Sequence, residues 1–237
     1  MIAQELEVCL HRAFVEAREQ RHEFITVEHL LLALLDCPTA AQVLRASSAN
    51  IDGLREKLTQ QVAQQTPRVP ADRDPDTQPT LGFQRVIQRA ILHVQSSGKK
   101  EVTGAYALGA IFGEKDSHAV RILEQHGITR FEVVSHLAHG AAPSAESLDA
   151  DLPEGADLQV VLYNDDYTPM GFVVEVLQKF FAMTEEEAKE TMLEVHRQGV
   201  GLCGLYARKE ALQVMKAVLE YARQHRHPLR CGVVAPE

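Results

Sequence analysis

Tryptophan is absent, and Phe and Tyr together supply only 5% of the 237 residues, so the apolar interior has to be built from Leu, Val, Ile and Ala. Cysteine is scarce too. Its four copies, Cys9, Cys37, Cys203 and Cys231, are too far apart to form CxxC pairs, which argues against a zinc ribbon or a disulfide scaffold and leaves each as a small buried hydrophobe. No run approaches 18 apolar residues, so no membrane span is expected. The opening MIAQELEVCL carries acids and lacks both a basic flank and a long apolar stretch, unlike a signal peptide; a reduced, cytoplasmic setting is the expectation. A G-x-x-x-x-G-K-S/T segment is missing as well, so these residues offer no P-loop ATP chemistry. Positive charge is in short supply. The net charge is −9, and residues 141–157 hold five acids and no base, whereas residues 1–140 carry 15 Lys+Arg against 17 Asp+Glu. No basic stripe exists to neutralise phosphates, which excludes nucleic acid as an expected partner, and the acidic segment reads as a solvated linker.

What is present begins with a repeat. Residues 6–35 lie on residues 83–112 at a constant offset of 77 without a gap: Leu6 meets Phe83, Leu10 meets Ile87, Arg12 meets Arg89, Ala13 meets Ala90, Thr26 meets Thr103, Leu31 meets Leu108 and Leu35 meets Phe112. The apolar matches keep helical spacing, so each copy reads as an amphipathic helix, a turn and a second helix N-capped by Thr26 or Thr103. Glu28 falls in the first turn of that second helix, where the dipole favours an acid. Further helical material follows in each copy, with Ile51 and Ile128 again 77 apart, giving two four-helix units related by pseudo-twofold symmetry. Residues 66–80, with four prolines, join them without a helix. EFITVEHLLLALL, TLGFQRVIQRA and VTGAYALGAIF closely resemble the N-terminal domain of Clp ATPases of the ClpA type. That resemblance covers about residues 1–140 and implies a helical docking platform for adaptors and substrates.

The second module spans residues 158–237. LQVVLYN (158–164) reads as a strand, residues 171–182 as an amphipathic helix, and TEEEAKETMLEVHRQG as a helix with Thr184 and Glu187 forming a capping box and Gly199 stopping it. VGLCGLYA (200–207) is a second strand, a long helix follows, and LRCGVV (229–234) is the third strand. The expected fold is therefore two domains: an all-α double four-helix repeat over 1–140, an acidic linker over 141–157, and a small α+β domain with a three-stranded antiparallel sheet packed on helices.

The chemistry sits where the first strand ends, in NDDYTPM (164–170). Asn and Asp after a strand commonly fold onto their own backbone, and Pro169 suits the turn before a helix. Three such residues together, Asn164, Asp165 and Asp166, also invite a cation. A metal held with His196 fits no hard-cation loop spacing, and adjacent acids usually point apart; a nucleophilic hydrolase lacks the third member of a triad, and a metal-dependent hydrolase built on Asp165, Asp166 and His196 is kept as a third reading that bound metal would favour. An α-ammonium group is the better guest, because an Asn carbonyl, an Asp carboxylate and a neutral His nitrogen can accept its three donors. Met192, Val195 and His196 share one helix face by their spacing of three and four, although Met192 and Val195 are equally core-like. Met170 is placed to close over a pocket mouth.

VVLYNDDYTPMGFVVEVLQKFF, ETMLEVHRQGVGLCG and YARQHRHPLRC resemble the ClpS family over about residues 156–237. The resemblance implies a non-enzymatic adaptor, without cofactor or metal, that binds N-degrons beginning with Phe, Tyr, Trp or Leu and brings them to a Clp AAA+ unfoldase-protease. It places Asn164, Asp165 and His196, with Asp166 in the same turn, around the free α-amino group, and Thr168, Pro169, Met170, Val173, Met192, Val195 and Leu229 around the first side chain. Met170 would exclude β-branched first residues. In that family an acid and a Lys on the last helix help docking; here those positions are Lys209 and Val214. Contact with the chain's own N-terminal module is one expected partner relation. The alternative function is a regulatory or decoy protein that competes for Clp adaptors or substrates without delivery.

Overall fold

A computed structural model describes residues 1–47, 49–139 and 157–236. They divide into two compact units, Met1–Leu137 and Ala138–Glu237. The acidic linker expected over 141–157 lies outside the described residues, apart from Asp157, which opens a strand.

In the first unit, α1 (Gln4–Glu19) and α2 (Val27–Leu34) recur as α5 (Leu81–Ser96) and α6 (Gly104–Ile111), with both bounds of each helix displaced by the expected offset of 77. The later helices drift. The turn from α2 to α3 (Pro38–Ala46) takes residues 35–37, while that from α6 to α7 (His118–Gln125) takes 112–117, so α7 starts later than the offset implies. The fourth pair is α4 (Ile51–Gln65) and α8 (Arg130–His139). Equivalent polar contacts accompany the equivalent helices: Arg12 donates to Ala33 O and Arg89 to Ala110 O, each at 3.2 Å, and the same guanidinium groups meet Asp36 (2.7 Å) and Glu114 (3.1 Å).

The two copies are also interlocked by short backbone pairings absent from the all-helical expectation. β1 (Phe24–Ile25) runs parallel to β2 (Gln78–Pro79), and Ile2 bridges Val102 in the same sense. Thr80 N–H donates to Ile25 O (3.0 Å) and Ala3 N–H to Val102 O (2.9 Å). Each copy's leading segment is thus satisfied by the turn of the other copy, and buried Leu30, Leu31, Leu34, Leu108, Ile111 and Leu123 merge into one core. An apolar groove of about 650 Å³ runs between α1 and α5, lined in part by Leu10, Phe14, Phe83 and Ile87.

Thr26 is the N-cap of α2, as the sequence leads one to expect. Glu28 does lie in the first turn, but its carboxylate accepts the N–H of Ala119 at the start of α7 (3.1 Å). His29 closes the turn instead: its Nδ1 accepts Thr26 N–H at 3.2 Å.

The second unit has a sheet in the order β4–β3–β5, antiparallel throughout, formed by β3 (Asp157–Tyr163), β4 (Val200–Ala207) and β5 (Arg230–Val234). Alternation puts Leu158, Val160 and Leu162 of β3 into the core. There they meet Val176 and Leu177 of α9 (Met170–Phe181), Val195 of α10 (Glu185–Gln198), and Met215 and Val218 of α11 (Arg208–Gln224). The expected capping box is present: Glu187 N–H donates to Thr184 Oγ1 (3.3 Å) and Thr184 N–H to Glu187 Oε2 (2.8 Å). Gly199 ends α10 in the left-handed region at φ 84°. A bulge between Val160 and Val161 leaves Cys203 as the extra residue of β4. A helix-rich double repeat, held by short backbone pairings, followed by a small α+β unit with a three-stranded antiparallel sheet is therefore the observed fold class.

Candidate functional site

The site is built where β3 stops. Tyr163 is its last paired residue, opposite Val200 and Arg230, and Asn164 prolongs the ladder by donating its N–H to Gly199 O at 2.8 Å. The chain then folds around one carboxylate. Asp165 Oδ1 accepts the N–H groups of Tyr167 (2.8 Å) and Thr168 (2.7 Å), the side-chain-to-backbone turn that Asp favours. Pro169 next supplies the extended residue that precedes α9, at φ −61° and ψ 137°.

One half of this turn is left unsatisfied. Among the described residues, Asp165 Oδ2 and Thr168 Oγ1 are buried without a hydrogen-bond partner. A buried carboxylate oxygen without a donor costs the full desolvation of that atom, so a donor brought by a ligand would be strongly favoured there. One oxygen of Asp165 therefore holds the backbone, and the other is left without a donor.

The apolar candidates are assembled from three elements. Val173 of α9, Val195 of α10 and Leu229, just before β5, are all buried in one cluster, and Met192 packs half-buried on its edge. Met170 opens α9 at 47% exposure. Asp166, Pro169 and His196 lie at the surface, His196 in the last turn of α10. Packing of α9 on α11 supports this arrangement. Phe172 stacks on Tyr221 with ring centroids 5.7 Å apart and meets His227 at 4.3 Å, while Lys179 Nζ sits 3.8 Å above the Tyr221 ring. The Tyr221 hydroxyl donates to Glu175.

Sequence reasoning treated Gly199 only as a helix stop and overlooked Gly201. The first proves to be the acceptor for Asn164 N–H; the second is buried against α10. A glycine two residues beyond a helix-stopping glycine, in GVG, is the signal that was available. Among the described residues, no three His, Cys, Asp or Glu side chains gather in a way that could hold a metal. Burial pushes the Cys203 thiol up to about 12 and raises Cys231 as well, which leaves both as inert core groups.

Two family models match the chain. Residues 1–126 match the Clp repeat (R) N-terminal domain, and residues 154–232 match the ATP-dependent Clp protease adaptor protein ClpS. A ClpA homologue from Fuscovulum blasticum is 43% identical over 153 residues, which is 64% of this chain and 19% of that relative, so the chain spans about a fifth of its length. An ATP-dependent Clp protease adapter protein ClpS from Aromatoleum aromaticum is 52% identical over 73 residues, 31% of this chain and 72% of the relative. A solved structure of Agrobacterium tumefaciens ClpS2 bound to L-phenylalaninamide aligns at 29% identity and TM-score 0.34, over 35% of this chain and all of that one. Both matched modules are adaptor or regulatory domains rather than catalytic ones. The chain belongs to the Clp repeat N-terminal domain family over its first half and to the ClpS family over its last third, the two joined in one polypeptide.

Proposed function

We propose that the second unit captures free protein N-termini that begin with a bulky hydrophobic residue and that the chain directs such proteins to a Clp AAA+ protease. The observation that carries this reading is the buried, unpartnered Asp165 Oδ2 in the same short segment as Thr168 Oγ1 and the start of α9. An α-ammonium group brings three N–H donors and a positive charge, which match a carboxylate oxygen better than an amide or an internal peptide does. Asn164 and His196 complete the cup, with Asp166 beside it. The first side chain then lies among Thr168, Pro169, Met170, Val173, Met192, Val195 and Leu229, and burying it contributes about 1.5–3 kcal/mol. Preferred first residues are Phe, Tyr, Trp and Leu; the exposed thioether of Met170 closes over them and rejects β-branched ones.

The test is fluorescence anisotropy with peptides that differ only at residue one: free Phe, free Ile and acetyl-Phe. Tight binding of free Phe alone, weakened at least about 30-fold by Asp165→Ala, is the expected result. Equal or absent binding of the three peptides would defeat the reading.

A decoy role that blocks delivery is favoured by one feature of α11. Lys209 is exposed in its first turn, and Val214 leans on the core, so the surface carries no acid at the first position and no Lys at the second. Adding the chain to a Clp protease together with a free-Phe substrate separates the two: faster degradation supports delivery, and inhibition supports the decoy.

A further inference from the structure

We infer that Gly201 is a positioning residue that sets the width of the first-residue site, an inference that rests on the reading just given. The geometry follows from a very short connection. α10 ends at Gln198, Gly199 reverses the chain, and β4 starts at Val200, so Gly201 returns directly beneath the last turns of α10. A Cβ on Gly201 would stand 2.5 Å from Val195 Cγ2, 3.3 Å from Thr191 O and 3.4 Å from Val195 N. Two of these three atoms are helix backbone, and Val195 is β-branched, rigid at χ1 in a helix and 3% exposed. Side-chain rotation therefore gives no relief. Restoring an ordinary carbon–carbon contact requires α10 to retreat by about 1 Å.

That helix carries Met192, Val195 and His196, one wall of the proposed site and one ligand of the α-amino group. The opposite wall is anchored to the sheet. Asp165 and Thr168 are held by their own turn at the end of β3, and β3 is clamped between β4 and β5, with Leu162 paired to both Gly201 and Cys231. The N–H of Asn164 on Gly199 O ties this turn to the C-terminal end of α10. The distance between the two walls is thus set where Val195 of α10 packs directly on the backbone of Gly201, which contributes no side chain to the contact. A methyl group at 201 opens the cup for the ammonium group and changes the fit of the first side chain together.

The experiment measures dissociation constants of free-Phe, free-Leu and acetyl-Phe peptides for the full chain, Gly201→Ala, Val195→Ala and the double variant. Gly201→Ala should weaken free Phe about tenfold and shift the Phe-to-Leu ratio about threefold, a ratio that a change in folded fraction does not move. The double variant, in which the 2.5 Å contact is gone, should bind like Val195→Ala alone. Wild-type values for Gly201→Ala, equal weakening of Phe and Leu, or no rescue in the double variant would overturn the inference. If Gly201→Ala does not fold, the double variant decides: folding and binding like Val195→Ala uphold the contact, and failure of either sinks it. A wild-type chain that binds free Phe and acetyl-Phe alike would instead defeat the underlying reading of the site.

Discussion

At the scale of single residues, Asp165 and the pair His22 and His29 do work that their neighbours cannot. Asp165 Oδ1 holds two backbone N–H groups while Oδ2 is buried without a donor. Asp165→Asn keeps an oxygen for the turn and removes the charge, so the thermal midpoint should stay within about 3 °C of wild type while free-Phe binding is lost. An unchanged affinity would show that the charge is not what binds the peptide. In the first unit, His29 Nδ1 accepts a backbone N–H from Thr26, so the ring must carry its proton on Nε2 and donate it to His22 Nδ1, 2.9 Å away. Burial, then His22, lowers His29 to about 4 against the opposing pull of Glu28, and burial with Arg68 lowers His22. Both folded values lie below the ordinary 6.5, so the unfolded chain binds protons first as the pH falls. The stabilisation is full above about pH 6.5 and is lost progressively toward pH 4, by an amount on the order of 3 kcal/mol for His29. Hydrogen exchange at pH 7 and pH 5 should show α1 and α2 loosening more than the second unit; a uniform change would refute the role of this pair.

At the scale of elements, helix termini explain why the repeat holds. Glu5 of α1 accepts the N–H of Thr39 (3.3 Å) at the start of α3 and that of Gly104 (3.1 Å) at the start of α6. One carboxylate therefore caps helices from both copies, close to the positive ends of their dipoles. Glu5→Ala should cost about 2 kcal/mol, seen as a lower urea midpoint for the first unit with unchanged m-value, since two backbone donors lose their acceptor. A shift no larger than that of an exposed surface change would show that water replaces the carboxylate. The offset of 77 and the α10 capping box were legible in the sequence because both are local patterns, read from helical spacing and from a three-residue interval. The partner of Glu28 was not legible there, since Ala119 is 91 residues away.

At the scale of the whole molecule, the buried apolar side chains of the described residues fall into two cores with separate membership: one drawn from residues 6–133 and the other from 158–233. Each unit is large enough to bury an apolar interior of its own. Residues 157–237 alone should therefore fold with native circular dichroism and bind free-Phe peptide within about threefold of the full chain. A much larger loss would show that residues 1–137 contribute to capture.

Two modules, an internally repeated helical unit in the first, Asn164, Asp165 and Asp166 between a strand and a helix in the second, and Met192, Val195 and His196 on neighbouring turns of one helix all follow from the order of residues alone. These are consequences of period, capping and turn chemistry, which act over a few residues. Which oxygen of Asp165 is spent on the turn, that the leading segment of each repeat is satisfied by the other copy, and that Gly201 lets α10 close onto β4 are outcomes of the packed chain. Those outcomes depend on which distant backbone groups arrive within hydrogen-bonding or van der Waals distance, and no local pattern encodes that.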